Sequence, residues 1–415
     1  MSTLKINDRR TASLLAWLCA LAYFGSYMTR INFAAVTVNI MNDMGWEKSA
    51  VSAVTTALFI SYAIGQIISG KLCDRFDPHK ITSLGLLSSV IMNFLIPFCT
   101  TIPQMTAIWA INGFAQAMMW PPIVKIMSTY MHTDDYQRAS VIVSWGGMGG
   151  TIGVYLLSSA CIAISGWRTV FYICAAVTTT ILVLWAVAYP RLIHQTQQVE
   201  SVKLPTDAPA AHDTATPAMP RALWLVLIPI LLISIVQGAL RDSISTWLPN
   251  YIVETFDMGD SAAILSSVII PLVNMAIYPL VLKFYRKFFT NELLCAAIIF
   301  VMSTALSVLL YFTYTSTAIV GVLLLALICA TMHGINFLII GLVPKRFSRY
   351  GNVGTISGLL NSFIYVGSSL SIWGIARVAE LWGWQTTIAV WGIAAAAGIG
   401  LCLSVTRQWG NVYKK

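Results

Sequence analysis

Twelve apolar stretches, each near the length that a helix needs to cross a bilayer, recur along this chain of 415 residues. A hydrocarbon layer about 30 Å thick takes roughly 20 residues of helix at about 1.5 Å per residue. No water reaches an open backbone N–H or C=O at that depth, so stretches too long for barrel strands must be helices. The expected fold is therefore an all-α membrane protein with twelve transmembrane helices in two six-helix bundles. Composition agrees, since 57% hydrophobic and 10% charged residues leave too little polar surface for a soluble globule of this size. The fourth stretch is read at 104–130 and the eighth at 261–283.

The basic residues orient the stretches. With the N-terminus in the cytoplasm, 19 of the 25 Lys and Arg fall on cytoplasmic pieces. Lys48, Arg168 and Arg377 fall on the opposite side, while Arg30, Lys125 and Arg241 are intramembrane. An excess of Lys and Arg marks cytoplasmic loops, so both termini are expected there, in a bacterial-type inner membrane. The net charge of +9 then follows from topology and implies no nucleic-acid partner. Basic residues also precede the first stretch, as in a signal peptide, but its length and Arg30 make it a retained first helix.

The chain divides once. A segment at 191–221 carries Pro205, Pro209, Pro217 and Pro220 among Ala, Thr and Gln. Such a composition buries no core and is expected to link a bundle at 1–190 to one at 222–415. The halves echo each other. Ser165-Gly166-Trp167-Arg168-Thr169 opens the sixth stretch and Trp382-Gly383-Trp384-Gln385-Thr386 the twelfth, 217 positions on, while Arg30 and Arg241 lie 211 apart. Repeats of this kind are typical of transporters, whose substrate sites lie near the midplane.

A charge deep in a span costs roughly 2.5 to 3.5 kcal/mol even on lenient scales, so Arg30 and Arg241 need a partner or an aqueous cavity. A guanidinium stays charged and offers a planar fork of donors that matches two oxygens of a phosphate, phosphonate, sulfonate or carboxylate. Two forks from opposite bundles would grip one tetrahedral head group. The competing reading pairs each arginine inside its own bundle for packing. Lys125 follows Trp120-Pro121-Pro122, whose prolines kink a helix. It is either a third cation in the cavity or an anchor at the cytoplasmic edge. Asp242 is the one clear intramembrane acid, read as a structural partner or a proton carrier. His333 and Asn336 share a helix face and either bond a substrate body or tie helices together. Asn274, Asn361, Tyr62, Tyr278 and Tyr365 are further cavity candidates. The glycines at 146–153 read as a helix-packing seam, since no strand precedes them as a phosphate loop requires.

Other chemistries lack support. The eight cysteines show no C-x-x-C spacing and no neighbouring His or Asp cluster, so neither metal, disulfide nor cofactor is expected. No nucleophile, base and orienting group stand at a plausible spacing, so the chain is not read as an enzyme. A monomer in the lipid bilayer, with a small anion as its partner, is the expectation.

Four runs carry a family resemblance. Gly70-Lys71-Leu72-Cys73-Asp74-Arg75 is similar to the G-x-x-x-D-R loop of the major facilitator superfamily, which implies a fastening of helix ends on the cytoplasmic side through Gly70, Asp74 and Arg75. Tyr27-Met28-Thr29-Arg30-Ile31-Asn32-Phe33 and Met119-Trp120-Pro121-Pro122-Ile123-Val124-Lys125 resemble stretches of the organophosphate:phosphate antiporter family, as does Arg241 with Trp247, Pro249 and Tyr251. That likeness implies substrate contacts at Arg30, Arg241, Lys125, Tyr27 and Trp120, and a rocking, alternating-access cycle. The chain departs from the glycerol-phosphate members at Gln66, where they carry a basic residue, near Gly149, where they carry a histidine, and at Thr246, where they carry an acid. Lys283-Phe284-Tyr285-Arg286-Lys287 replaces the second loop motif. Gln66, His333, Asn336 and Tyr365 complete the candidate substrate contacts, and Asp242 is the candidate coupling group. The expected function is transport of a small organic anion by exchange, with phosphate esters leading. The alternatives are a proton-coupled carboxylate or sugar-acid symporter and a transporter-like sensor.

Overall fold

The computed structural model describes residues 5–46, 48–203, 219–258 and 269–411. Among these residues the chain is helical and forms no strand, as expected. Contacts divide it into two compact units, one of Met1–Ala218 with Pro344–Leu359, the other of Met219–Val343 with Leu360–Lys415.

The first unit holds α1 (Arg9–Ala35), α2 (Thr37–Met44), α3 (Lys48–Arg75), α4 (Pro78–Leu95), α5 (Ile102–Ala117), α6 (Trp120–Tyr130), α7 (Thr133–Ile164) and α8 (Trp167–Lys203). Short polar residues start two of them. Asp8 accepts from the amides of Arg10 and Thr11, and Asp77 accepts from that of His79 with Pro78 next in line, so amides at each helix start gain an acceptor. Helix α1 lies against α7 and α8, α3 against α5, and α4 against α5 and α8. Glycine makes the first contact close. A Cβ at Gly146 would stand 2.3 Å from the Ala20 carbonyl oxygen, and one at Gly150 would stand 2.8 Å from that of Phe24. The glycine run is thus a seam inside a helix.

Eleven helices among the described residues are long and apolar enough to span a membrane, against twelve expected. The missing one is the fourth stretch, which breaks between α5 and α6 at Met118 and Met119. The cause follows two residues later. Pro121 and Pro122 lack the N–H that would continue the α5 ladder, and their rings crowd the preceding turn, so the helix restarts at Trp120 with proline in its first turn. Helix α8 runs on to Lys203, into the segment expected as a linker. Residues 204–218, with Pro205, Pro209 and Pro217, lie outside the described residues.

The second unit holds α9 (Arg221–Phe256), α10 (Ile269–Phe288), α11 (Glu292–Thr313) and α12 (Ala318–Asn336). A π-helical turn at Phe337–Leu342 and a 3-10 stretch at Val343–Tyr350 follow, and then α13 (Val353–Asn411), which is interrupted at Gly383. The first residues of the expected eighth stretch, 261–268, lie outside the described residues. Helix α12 packs against α9, α10 and α11.

The sequence echo has a structural counterpart. Gly166 and Gly383 both adopt a left-handed conformation, with φ of 87° and 75°, which favours glycine. In each unit the tryptophan that follows donates its indole N–H to a carboxylate, Trp167 to Asp43 at 3.0 Å and Trp384 to Glu254 at 2.8 Å. Asp43 and Glu254 are 211 positions apart, the offset of the two arginines. Arg168 also pairs with Asp43 at 2.6 Å. The Trp167 indole, with Arg168, holds the Asp43 carboxyl below its usual range.

Candidate substrate-binding site

In the first unit Arg30 sits late in α1 and is 8% exposed. Its guanidinium carbon lies 4.2 Å from the centre of the Tyr27 ring and 5.1 Å from that of Tyr62. Aromatic faces are electron-rich and favour a cation. Tyr23 continues the cluster, with ring centres 5.0 Å from Tyr27 and 5.1 Å from Trp120. The Trp120 indole N–H, brought here by the restart of α6, is buried without a hydrogen-bond acceptor. A cation, an open N–H and three phenol rings on α1, α3 and α6 suit an acceptor-rich guest.

A layer of amides behind Arg30 fixes the helix that carries it. The Thr29 carbonyl accepts from the side-chain amides of Asn93 and Asn112, both at 2.9 Å. Gln116 donates to the Thr29 hydroxyl at 2.9 Å and to Ser89 at 3.1 Å, and accepts from Ser26. Asn32 donates to Asn93 at 2.6 Å. Residues from α1, α4 and α5 thus converge on one backbone position, and the rotation of α1 is set by buried hydrogen bonds. None of Asn93, Asn112 or Gln116 stood out in the sequence, because lone amides in apolar stretches carry no periodic signal. Gln66 donates to the Ala117 carbonyl at 3.3 Å, at the break before α6, and its own oxygen is buried without a partner.

The loop motif is occupied otherwise. The Asp74 carboxylate accepts from the backbone amides of Gly354 at 2.9 Å and Thr355 at 2.6 Å, which caps the first turn of α13. Lys125, expected among the substrate contacts, pairs with Asp74 at 3.0 Å and with the Gly351 carbonyl at 3.2 Å. Its ammonium therefore serves this helix-end cluster in the conformation described. A Cβ at Gly70 would stand 2.5 Å from the Gly354 carbonyl oxygen, so glycine is needed there, whereas Arg75 is exposed.

In the second unit Arg241 lies midway along α9. Its fork closes on the next residue, with Nε 2.6 Å from Asp242 Oδ1 and Nη2 2.8 Å from Oδ2. Ser368 on α13 also donates to Asp242. His333 Nδ1 stands 3.1 Å from the Tyr278 hydroxyl, which ties α12 to α10. Asn336 ends α12 where the π-helical turn begins. Tyr365, on α13, is half-buried. Trp247 and Tyr251, from the family run, donate to the carbonyls of Ile372 at 3.0 Å and Tyr314 at 2.6 Å, and so act in packing.

No group of three or more metal-ligating side chains occurs among the described residues. All eight cysteines are free and buried.

Comparison with known proteins agrees with this architecture. The chain matches the Major Facilitator Superfamily over residues 19–372. It is 23% identical over 401 residues to a probable hexose phosphate transport protein of Chlamydia trachomatis, covering 88% of this chain and 84% of that one. It is likewise 23% identical over 421 residues to the membrane sensor protein UhpC of Escherichia coli, covering 95% and 91%. A solved structure of the proton:xylose symporter XylE superposes with a TM-score of 0.72 over 96% of each chain at 11% identity, a likeness of fold. A helical chain with echoed halves, an arginine within a membrane-length helix of each and a match over most of its length is a multi-pass membrane transporter and no enzyme, and it belongs to the major facilitator superfamily.

Proposed function

We propose that the protein carries a small organic anion across a bacterial-type inner membrane by alternating access, with phosphate esters the leading class and exchange the mode. The observation that carries this reading is a pair of arginines at repeat-equivalent positions, one in each unit, at a depth where a charge is costly without a function. Arg30 with Tyr27, Tyr62 and Trp120 supplies a cation and an N–H donor. Arg241 supplies a second fork, which an incoming dianion takes from Asp242. Both termini face the cytoplasm, where 19 of the 25 basic residues then lie. The likeness to a hexose phosphate transport protein supports the substrate class.

The test is exchange of radiolabelled phosphate into proteoliposomes loaded with unlabelled phosphate, with Arg30→Lys and Arg241→Lys beside the wild type. Exchange that falls in both variants, and further in Arg30→Lys, is the expected result. No exchange by folded protein would remove phosphate as counter-substrate.

Two observations keep other readings testable. The likeness to a membrane sensor favours a receptor with little flux, which binding without uptake would reveal. The half-buried Asp242 favours proton coupling, which requires Asp242→Asn to bind substrate yet lose pH-driven uptake.

A further inference from the structure

The last turns of α10 carry a group of positive charges that the fold leaves facing outward. Lys283, Arg286 and Lys287 are exposed, and spacings of three and four residues set them on one face of the helix. Phe284 and Phe288 lie beside them with ring centres 5.4 Å apart, and the Phe289 ring stands 5.3 Å from that of Phe284. Phe288 is 60% exposed, and the Lys287 ammonium lies 5.0 Å from the centre of its ring. Helix α10 is long and apolar enough to span a membrane and ends at Phe288, so this surface lies where hydrocarbon gives way to lipid headgroups.

The first unit supplies acids at the corresponding place. There the turn from α3 to α4 mixes Lys71, Arg75 and Lys80 with Asp74 and Asp77. Arg75 and Arg286 are 211 positions apart, the offset of Arg30 and Arg241, and the same offset carries Asp74 to Tyr285. A phenol thus stands where the first unit has a carboxylate. Tyr285 is turned inward, its hydroxyl 3.3 Å from the Thr290 carbonyl and 3.0 Å from Glu292 Oε1. Glu292, the next acid along the chain, is 2% exposed and also accepts from the Trp409 indole at 3.0 Å. Among the described residues neither Lys283 nor Lys287 meets a carboxylate. The bias of cations toward cytoplasmic loops accounts for basic residues at a helix end. It does not account for the loss of the accompanying acid or for the open ring beside them.

We infer that the end of α10 is a docking surface for anionic phospholipid, with Lys283, Arg286 and Lys287 at the headgroup phosphates and Phe284 and Phe288 at the border of the acyl chains. A basic face beside aromatic rings is the pattern of segments held at an anionic bilayer surface. The rings need chains to pack on, which a free headgroup lacks, so the occupant is the whole lipid. Helix α10 also carries Tyr278, whose hydroxyl meets His333 on α12, so lipid at its end steadies the second unit.

The test titrates the full-length protein in detergent with a phosphatidylglycerol and, separately, with the phosphatidylcholine of the same chains, and reads the melting temperature. A ligand that binds only the folded state raises it with concentration. The wild type is expected to respond to the anionic lipid at lower concentration than to the neutral one. Lys283→Gln with Lys287→Gln should need about 30-fold more anionic lipid for the same rise, about fivefold for each cation. Lys71→Gln with Lys80→Gln, at the acid-balanced end of α3, should respond as the wild type does. Equal response of the wild type to both lipids would overturn the surface, as would an α10 variant that responds like the wild type. An equal loss in the α3 variant would also overturn it, since charge anywhere on the protein would then suffice. So would an equal rise with glycerophosphoglycerol, the same headgroup without chains, if lost in the α10 variant, because the site would then take soluble anions. Should the double variant fail to fold, Lys283→Gln and Lys287→Gln singly give the same test at about fivefold.

Discussion

Arg30 and Arg241 stand at equivalent points of the two halves, yet their surroundings have opposite chemistry. The first lies over phenol rings and is backed by amides that hold its helix. The second is neutralised by the carboxylate next to it. Arg30 is contacted by the faces of Tyr27 and Tyr62, whereas Arg241 is paired with Asp242 and would have to exchange that partner to bind an anion. The two halves thus share an arginine at equivalent positions while the side chains around it have diverged.

The largest effect should separate these two arginines. Arg30→Lys is expected to weaken phosphate or phosphate-ester binding about 100-fold, because a lysine loses both the bidentate fork and the ring stacking. Arg241→Lys should cost about tenfold, since the ammonium still meets Asp242 and trades it for the anion. Calorimetry on both variants checks this, and equal losses would break the contrast.

The amide layer behind Arg30 provides the next test. Gln116→Met removes two donated bonds and one accepted bond at nearly constant volume, and should lower stability by about 1 to 2 kcal/mol, read as a fall in melting temperature in detergent. An unchanged melting point would mean that α1 is held by its glycine seam alone. Asp242→Asn should tighten phosphate binding several-fold by removing the internal competitor, while Tyr62→Phe, which keeps the ring, should change it little. Weaker binding in Asp242→Asn would show that the carboxylate positions Arg241 rather than competes for its ligand.

The smallest effect concerns the repeated turns. Asp43→Asn and Glu254→Gln should each lower the melting point near neutral pH by only about a degree, as exposed or half-exposed pairs do. Folding depresses the Asp43 pKa, so its contribution is present above the unfolded value near 4 and fades as pH falls through the lower folded value. The difference between wild type and Asp43→Asn should therefore vanish in acid. A difference that persisted there would mean that the pair matters for shape and not for charge.

Much of this was legible along the chain, for reasons particular residues make plain. Spans are read from length and apolarity, which a bilayer enforces strictly. The break before Trp120 follows from two missing N–H groups at Pro121 and Pro122. The echo of Gly166-Trp167 in Gly383-Trp384 pointed to the repeat, and the carboxylates that receive those indoles complete it. The partners of the charges were less legible. Neighbouring positions on a helix point about 100° apart, which argues against a bond between Arg241 and Asp242, but the long guanidinium side chain turns back to reach it. Lys125 meets an aspartate 51 positions away and a carbonyl 226 away, and no local pattern announces either contact. The passage of Pro344–Leu359 into the first unit follows from the Asp74 cap and the glycines at 70 and 354, a long-range fit that hydropathy cannot show.

The adjacency of Arg241 and Asp242 bears on how the chain is made as well as how it works. Helix α1 contains no acidic residue, so Arg30 must enter the insertion machinery without an internal counter-charge. Helix α9 carries its arginine and the neighbouring carboxylate as one net-neutral package. During synthesis the first helix is therefore the one that depends on later arrivals: Asn93 on α4 and Asn112 on α5 emerge only after α1 has been handed to the lipid, and the nascent chain must hold it in place until they come.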